Sequence, residues 1–350
     1  MKYRTTILLL ALLPLAMSTS AQRASPEHIK ILFGSCLHQD KPQPIWQAMN
    51  KEQADLFVLL GDNIYGDTED MAELKAKYAK QWATSGMQTM LANTATIGIW
   101  DDHDFGENDA GAEYPKKEAS RQIMLDYFNV PKDSPRRTRT DGIYTSHILT
   151  HENTKVQVIL PDLRWNRSPL ESVGRVKYIL SKAPKDLGPY VPSKDESTTM
   201  LGETQWQWLE KQLQQPADVR ILATSLQFLP EFSGWESWAN LPHERQRFLT
   251  LLDEYKIDNL VIVSGDTHWS ELSQITQKNG KALWEMTASG LTEEWKNVSP
   301  NRHRVGDSYT KANYGVIELI GLQLKMSIKD VAGKEIMIKT ISLENQPDKN

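Results

Sequence analysis

The chain contains a single cysteine, Cys36, among 350 residues. An intrachain disulfide is therefore excluded. A lone thiol is either an inert buried group or a ligand or nucleophile. The apolar run Ile7 to Met17 is too short to span a bilayer comfortably. No Lys/Arg cluster of nucleic-acid type occurs; Arg136-Arg137-Thr-Arg139 is short and reads as a solvated loop, and the net charge is −5. There is no G-x-S-x-G elbow, which removes the common serine-hydrolase signature. No internal repeat or composition shift divides the chain.

What is present is an ordinary globular composition, 39% hydrophobic and 24% charged. The length suits one large domain, expected over residues 25–343, with 344–350 as a polar tail. Lys2 and Arg4 precede the run Ile7–Met17, and Ser18-Thr-Ser-Ala21 follows. That order predicts a signal peptide over residues 1–21 and export to the periplasm or medium of a bacterium. After cleavage the charge becomes about −7, because −5 loses two cations. The exported chain is expected to have no stable membrane insertion and no nucleic-acid partner.

The apolar patterning alternates strands with helices. Strands are predicted at 29–33, 55–60, 94–100, 144–149, 155–160, 220–225, 259–263, 282–287 and 314–320, with a hairpin at 325–330 and 335–341 about Gly333. Helices are predicted at 44–50, 71–91, 118–129, 204–213 and 244–255. Leu74, Tyr78 and Trp82 share one face of the second. Polar residues 106–118 read as a loop over a site, and 181–200 as a surface excursion. This order argues an α/β layered fold.

Four predicted strands end in chemistry. Their ends read Gly34-Ser-Cys36, Gly61-Asp62-Asn-Ile-Tyr65, Trp100-Asp101-Asp102-His103-Asp104 and Gly265-Asp266-Thr-His268. Ligands of open α/β sheets collect at the carboxyl ends of strands. Carboxylates packed side by side repel one another and lose hydration, and a bound cation compensates both. Thiolate, phenolate, carboxylate and imidazole together suit an oxidised iron beside a second, oxygen-loving divalent ion. Asp62 is placed to bridge two ions. Asp101 and Asp102 compete for one ligand position, and spacing does not separate them.

The order GSC, GDxxY, WDDH, GDxH resembles the PhoD-like (alkaline phosphatase D) branch of the calcineurin-like metallophosphoesterases. Asp162-Leu-Arg164-Trp-Asn-Arg167-Ser-Pro-Leu170, Met200-Leu-Gly-Glu-Thr-Gln-Trp-Gln-Trp-Leu209 and Trp238-Ala-Asn-Leu-Pro-His-Glu-Arg245 extend the likeness across residues 29–320. The resemblance implies a four-layer α/β/β/α sandwich of two mixed sheets. It also implies phosphate-ester hydrolysis at a multi-metal centre, with Fe3+ and Ca2+ suggested and Zn, Mn or Mg possible. Cys36, Asp62, Tyr65, Asp102, Asp266 and His268 resemble the ligands. His103 resembles the residue that contacts phosphate or leaving group, with Asp104 expected to orient its imidazole. Where the wider superfamily has a His after a middle strand, Ser225 and Gln227 stand here.

The expected chemistry is in-line attack on phosphorus by a metal-bound hydroxide. Arg164 or Arg167 is expected to grip a free phosphate oxygen as a fork. The substrate is expected to be a small-molecule or lipid phosphate ester. Phosphodiesterase or phospholipase-type activity on the same centre is the nearest alternative. A non-catalytic extracytoplasmic metal- or carbohydrate-binding protein is the alternative of another class. A GDSL-type serine esterase is disfavoured, because Asn63 stands where the nucleophilic serine belongs.

Overall fold

A computed structural model describes residues 28–321 and 323–343. The predicted signal peptide (1–21) and polar tail (344–350) lie outside these residues. Twelve strands form two six-stranded sheets. They are β1 (His28–Gly34), β2 (Leu56–Leu60), β3 (Ala95–Ile99), β4 (Thr145–His151), β5 (Thr154–Leu160), β6 (Val219–Ala223), β7 (Leu260–Ser264), β8 (Ser270–Thr276), β9 (Ala282–Ala288), β10 (Asn313–Ile320), β11 (Gln323–Asp330) and β12 (Glu335–Ser342). The first sheet runs β12-β11-β10-β1-β2-β3 and the second β4-β5-β6-β7-β9-β8. β1, β2 and β3 are parallel, as are β5, β6, β7 and β9, so both sheets are mixed.

The alternation of side chains explains the layering. Ile221, Val261 and Val263 face the main core, which they share with the first sheet. Their neighbours Leu222, Leu260 and Ile262 face the opposite way. There they meet Trp206, Leu209 and Leu213 of helix Glu203–Leu213 and Phe248, Leu251 and Leu252 of helix Pro242–Glu254. Strands covered on both faces read as continuous apolar runs, and β2, Leu-Phe-Val-Leu-Leu, is buried throughout. On the far side of the first sheet, helix Met71–Trp82 buries Leu74, Tyr78 and Trp82. The four-layer α/β/β/α sandwich expected from the sequence is what forms.

Arg136-Arg137-Thr-Arg139 is not a solvated loop: it lies on the short helix Pro135–Thr138 with Arg139 as its C-cap, and the buried Arg137 guanidinium donates to Val130 O and Pro131 O. Two further elements differ from the sequence reading. The single helix expected over 71–91 is two, Met71–Trp82 and Ser85–Asn93, parted where Thr84 adopts extended φ −66° and ψ 135°. The turn lets Gly86 press on Trp46, where an added Cβ would lie 2.4 Å from the Trp46 side chain. Strand β8 had no sequence counterpart. Its Ser-Glu-Leu-Ser pattern is polar yet buried, because Arg304, Asn301 and Gln227 satisfy Glu271, and Asn313 pairs with Ser270.

Two of the longer motifs serve the scaffold. The Asp162 carboxylate accepts from Trp100 Nε1, Ile143 N, Arg164 N and Trp165 N, fixing the turn after β5. Glu244 accepts from Trp206 Nε1, Met200 N and Leu201 N, joining the 200–209 and 238–245 motifs.

Candidate metal centre

The carboxyl ends of both sheets meet at one rim. Cys36 N donates to Gly61 O at 3.4 Å, Gly265 N to Ser225 O at 3.0 Å and Thr292 N to Cys36 O at 3.0 Å. Gly61 permits a close approach: a Cβ there would lie 2.5 Å from Asp101 Cβ. Cys36, Asp62, Asp266 and His268 all have positive φ, at 62°, 51°, 72° and 61°. Left-handed backbone at non-glycine residues costs energy and collects where side-chain direction matters. The ends of β1, β2 and β7 thus turn sharply, whereas the end of β3 runs into the short helix Asp102–Phe105.

The donors meet in overlapping groups. Cys36, Asp62 and His268 place one ligand atom each within 4.8 Å of one another. Asp62, Asp101, Asp102 and Asp266 do the same, and so do Asp62, Asp102 and His103. Asp62 belongs to all three. Its Oδ2 lies 3.5 Å from Cys36 Sγ and 3.4 Å from the Tyr65 hydroxyl, which is 3.0 Å from His268 Nε2. Asp101 and Asp102 both contribute. Asp101 Oδ1 is taken by Arg164 and Ser225, and Asp102 Oδ2 by Asp109 N. Their other oxygens, and Asp62 Oδ1, are buried without a hydrogen-bond partner.

Unpartnered buried oxygens of this kind cost stability unless something positive meets them. The residues therefore fit a multi-metal centre. The protonation states agree. Burial lowers the His268 imidazole to about 4, leaving a neutral ligand at ordinary pH. Burial raises Asp62 and Asp266 well above the usual carboxylate range, and neighbouring carboxylates add to the shift. Burial likewise pushes the Cys36 thiol up to about 12. Cations would reverse these shifts by favouring the ionised donors.

A pH dependence follows for chelator-treated protein. Asp104 sits at about 7, raised by burial. Burial alone would lower His103, but Asp62, Asp102 and Asp67 raise it to about 11. Above about pH 6.5 the unfolded chain has lost its carboxyl and imidazole protons, whereas the folded chain retains some. The native state then binds more protons, so stability falls as pH rises. Melting temperature is expected to drop between about pH 6.5 and 8.5, and added metal to abolish the drop. Differential scanning fluorimetry checks both; a rise with pH would contradict the assignment.

A cavity of about 240 Å³ opens over the donors. Asp62, Asp102, His103, Asp266 and His268 form its floor, and Tyr190, Trp235, Trp269 and Trp295 its walls. Asn108 and Asp109 reach it from the 106–118 loop, as expected of that segment.

A family profile described as "PhoD-like phosphatase" matches residues 31–318. The chain belongs to the PhoD-like phosphatase family. Alkaline phosphatase D of Bacillus subtilis (strain 168) is 22% identical over 73% of this chain and 48% of that protein. The chain thus spans about half the length of this curated relative. A solved PhoD structure superposes with a TM-score of 0.71 at 18% identity, covering 90% of this chain and 72% of that one. A dimetal phosphatase from Danio rerio gives 0.56 at 13% identity, covering 91% and 100%. These structural likenesses bear on the fold.

Within this PhoD-like centre three expected roles are revised. Asp104 does not orient His103. Its carboxylate points into the scaffold, accepting from Asp62 N at 3.0 Å, Asp101 N at 2.7 Å and the Tyr78 hydroxyl at 3.3 Å. Asp67, which drew no attention in the sequence, lies 2.7 Å from His103 Nδ1 instead. Arg164 and Arg167 do not present a fork to the cavity. Arg164 is fully buried, with Nε 2.6 Å from Asp101 Oδ1 and Nη1 2.7 Å from Glu236 Oε2. Arg167 Nη2 lies 3.2 Å from Glu236 Oε1. Neither guanidinium lines the cavity, and each is held by the buried Glu236 carboxylate.

Some contributors escaped the sequence reading. Glu236 holds both arginines and groups with Asp102 and Asp109. A single acid between Trp235 and Trp238 is the one signal that could have found it. Ser289 Oγ lies 3.1 Å from Cys36 Sγ and accepts from His268 N at 2.8 Å. Ser225 donates to Asp101 and Gln227 to Glu271, so neither extends the donor set.

Proposed function

We propose that this chain hydrolyses phosphate esters at a multi-metal centre held by Cys36, Asp62, Tyr65, Asp101, Asp102, Asp266 and His268. The observation that carries the reading is the buried Asp62 carboxylate common to three donor groups, with an oxygen left unpartnered. The cations would lower the pKa of a water and offset phosphate charge. The chain's own residues do the rest. Left-handed turns hold the donors, the aromatic walls exclude water from one side, and His103 stands at the cavity floor.

Asp67 takes His103 Nδ1 at 2.7 Å, which leaves Nε2 as the nitrogen able to hand a proton to a leaving oxygen. The Tyr65 ring lies against this imidazole with centroids 4.2 Å apart and fixes its plane. Histidine 103 is therefore expected to matter most for poor leaving groups. His103→Gln should lose about 10²-fold or more in turnover of an alkyl phosphate and far less with nitrophenyl phosphate. Equal losses on both esters would remove the proton-donor role.

Thiolate and phenolate donors favour a ferric ion, and the carboxylates a harder divalent ion such as calcium. A ferric site with Tyr65 as ligand absorbs visible light, so the purified protein is expected to be coloured and Tyr65→Phe to bleach it. Colourless, iron-free, fully active protein would overturn the iron assignment alone. Metal analysis paired with chelator treatment, metal restoration and an ester panel tests the whole reading. Restored binding of metal without turnover of any ester would overturn it.

The tryptophan walls offer an apolar surface to an ester substituent, which favours testing diesters beside monoesters. A nitrophenyl monoester and a bis-ester assayed in parallel separate the two. The basic and apolar N-terminal segment supports export, and no helix among the described residues is long and apolar enough to cross a membrane.

A further inference from the structure

We infer that the helical segment 175–185 is a docking face for an anionic lipid surface, seating the cavity mouth against it. Helix Arg175–Lys177 runs on into the turns Tyr178–Lys182 and Ala183–Lys185. Val176, Ile179 and Leu180 lie within about one turn of one another, the last two on the wider π-helical turn Tyr178–Lys182. They are 72%, 52% and 75% exposed. Single exposed aliphatics are normal on a protein surface. Three adjoining ones on one short helical segment are a patch that a soluble fold would ordinarily cover.

Charge selects the occupant. Residues 175–185 carry four cations and no carboxylate, in a chain of net charge −5. Arg175, Lys177 and Lys185 are exposed and form no ion pair among the described residues. Glu171 and Asp186 flank the segment from outside it. Basic residues around an exposed apolar face are the pattern of a helix lying in a lipid headgroup layer. A second copy of this chain packed about a twofold axis would bring the same cations against one another.

The segment is continuous with the cavity. Tyr178 meets Trp235 edge-on at 6.4 Å, Trp235 meets Trp295 at 6.4 Å, and Trp295 meets His268 at 6.5 Å. Gly188 N donates to Ser233 O and Tyr190 N to Gly234 O, both at 2.9 Å, tying the following strap to the tryptophan loop. Trp295 is itself 43% exposed, and tryptophan favours the boundary between water and lipid. The cavity and the docking face therefore share one aromatic seam.

The inference does not rest on the hydrolytic reading, because docking is measured without turnover. Purified protein is sedimented with vesicles of phosphatidylcholine alone or mixed with phosphatidylglycerol. Wild type is expected to bind the mixed vesicles, more weakly at high salt and on phosphatidylcholine alone. The triple variant Val176→Ser, Ile179→Ser, Leu180→Ser should lose on the order of a hundredfold in vesicle partition. Arg175→Gln with Lys177→Gln should weaken binding only to the anionic vesicles. All variants should melt within about 2 °C of wild type, which shows that they fold. Unchanged vesicle binding by the triple variant overturns the inference. So does a wild-type dimer in solution that the triple variant converts to monomer.

Discussion

Asp62→Asn is expected to lower ester turnover by about 10³-fold or more while raising the melting temperature of chelator-treated protein. The first effect follows from the carboxylate's position in three donor groups. Removing its charge weakens every cation it helps to hold, and cation stabilisation of the transition state is worth several kcal/mol, or about three decades in rate. The second effect has the opposite sign. Without metal, Asp62 is a fully buried acid beside Asp101, Asp102 and Cys36, and burial opposes its ionisation. Asparagine keeps the shape, loses the charge and brings a donor to neighbours that lack one. A gain of about 1 kcal/mol corresponds to roughly 2 °C or more in a protein of this size. In metal-saturated protein the ranking reverses, because wild type alone gains the linkage of bound ions. Fluorimetry with and without chelator reads both signs. A lower melting temperature for the variant in chelator would show that Asp62 is paired by something other than metal.

Arg164→Met should destabilise the fold by about 3–5 kcal/mol. Arg164 is the cation between Asp101 and Glu236, both of them buried. Methionine fills much of the volume but leaves the buried Asp101 carboxylate without its cation and Glu236 with Arg167 alone. Its backbone N–H still bonds Asp162 at 2.9 Å, so the turn after β5 keeps its anchor and the loss is electrostatic. Arg164→Lys should recover only part of it, since one ammonium cannot form the two-sided fork. Urea unfolding gives the midpoint shift. If Arg164→Met unfolds like wild type yet loses affinity for phosphate, the guanidinium belongs to substrate after all.

Much of the fold could be read from the chain because its central strands are continuous apolar runs bounded by glycine. β2 and β7 show this, each buried along its whole length and followed by Gly61 or Gly265. The donors were legible for the same reason: each directly follows such a run. What stayed hidden depends on tertiary pairing. Asp104 looked like the partner of His103 because the two are adjacent, but both lie on the short helix Asp102–Phe105. Successive helical residues diverge by about 100°, so one side chain faces the cavity and the next the scaffold. Asp67 is 36 residues from His103 and carries no local signal. Arg164 and Arg167 invited a phosphate role because Glu236, their true partner, lies about seventy residues away, 72 of them in the case of Arg164. β8 was missed because its buried positions are polar and matched by distant side chains rather than by apolar neighbours.

The buttress at Asp104 joins the ends of β2 and β3 through the amides of Asp62 and Asp101, not through their carboxylates. Assembly of the polypeptide and its charging with ions are thereby separable events. The rim can reach its final shape with the donor oxygens still bare, so that an arriving cation completes a site already built.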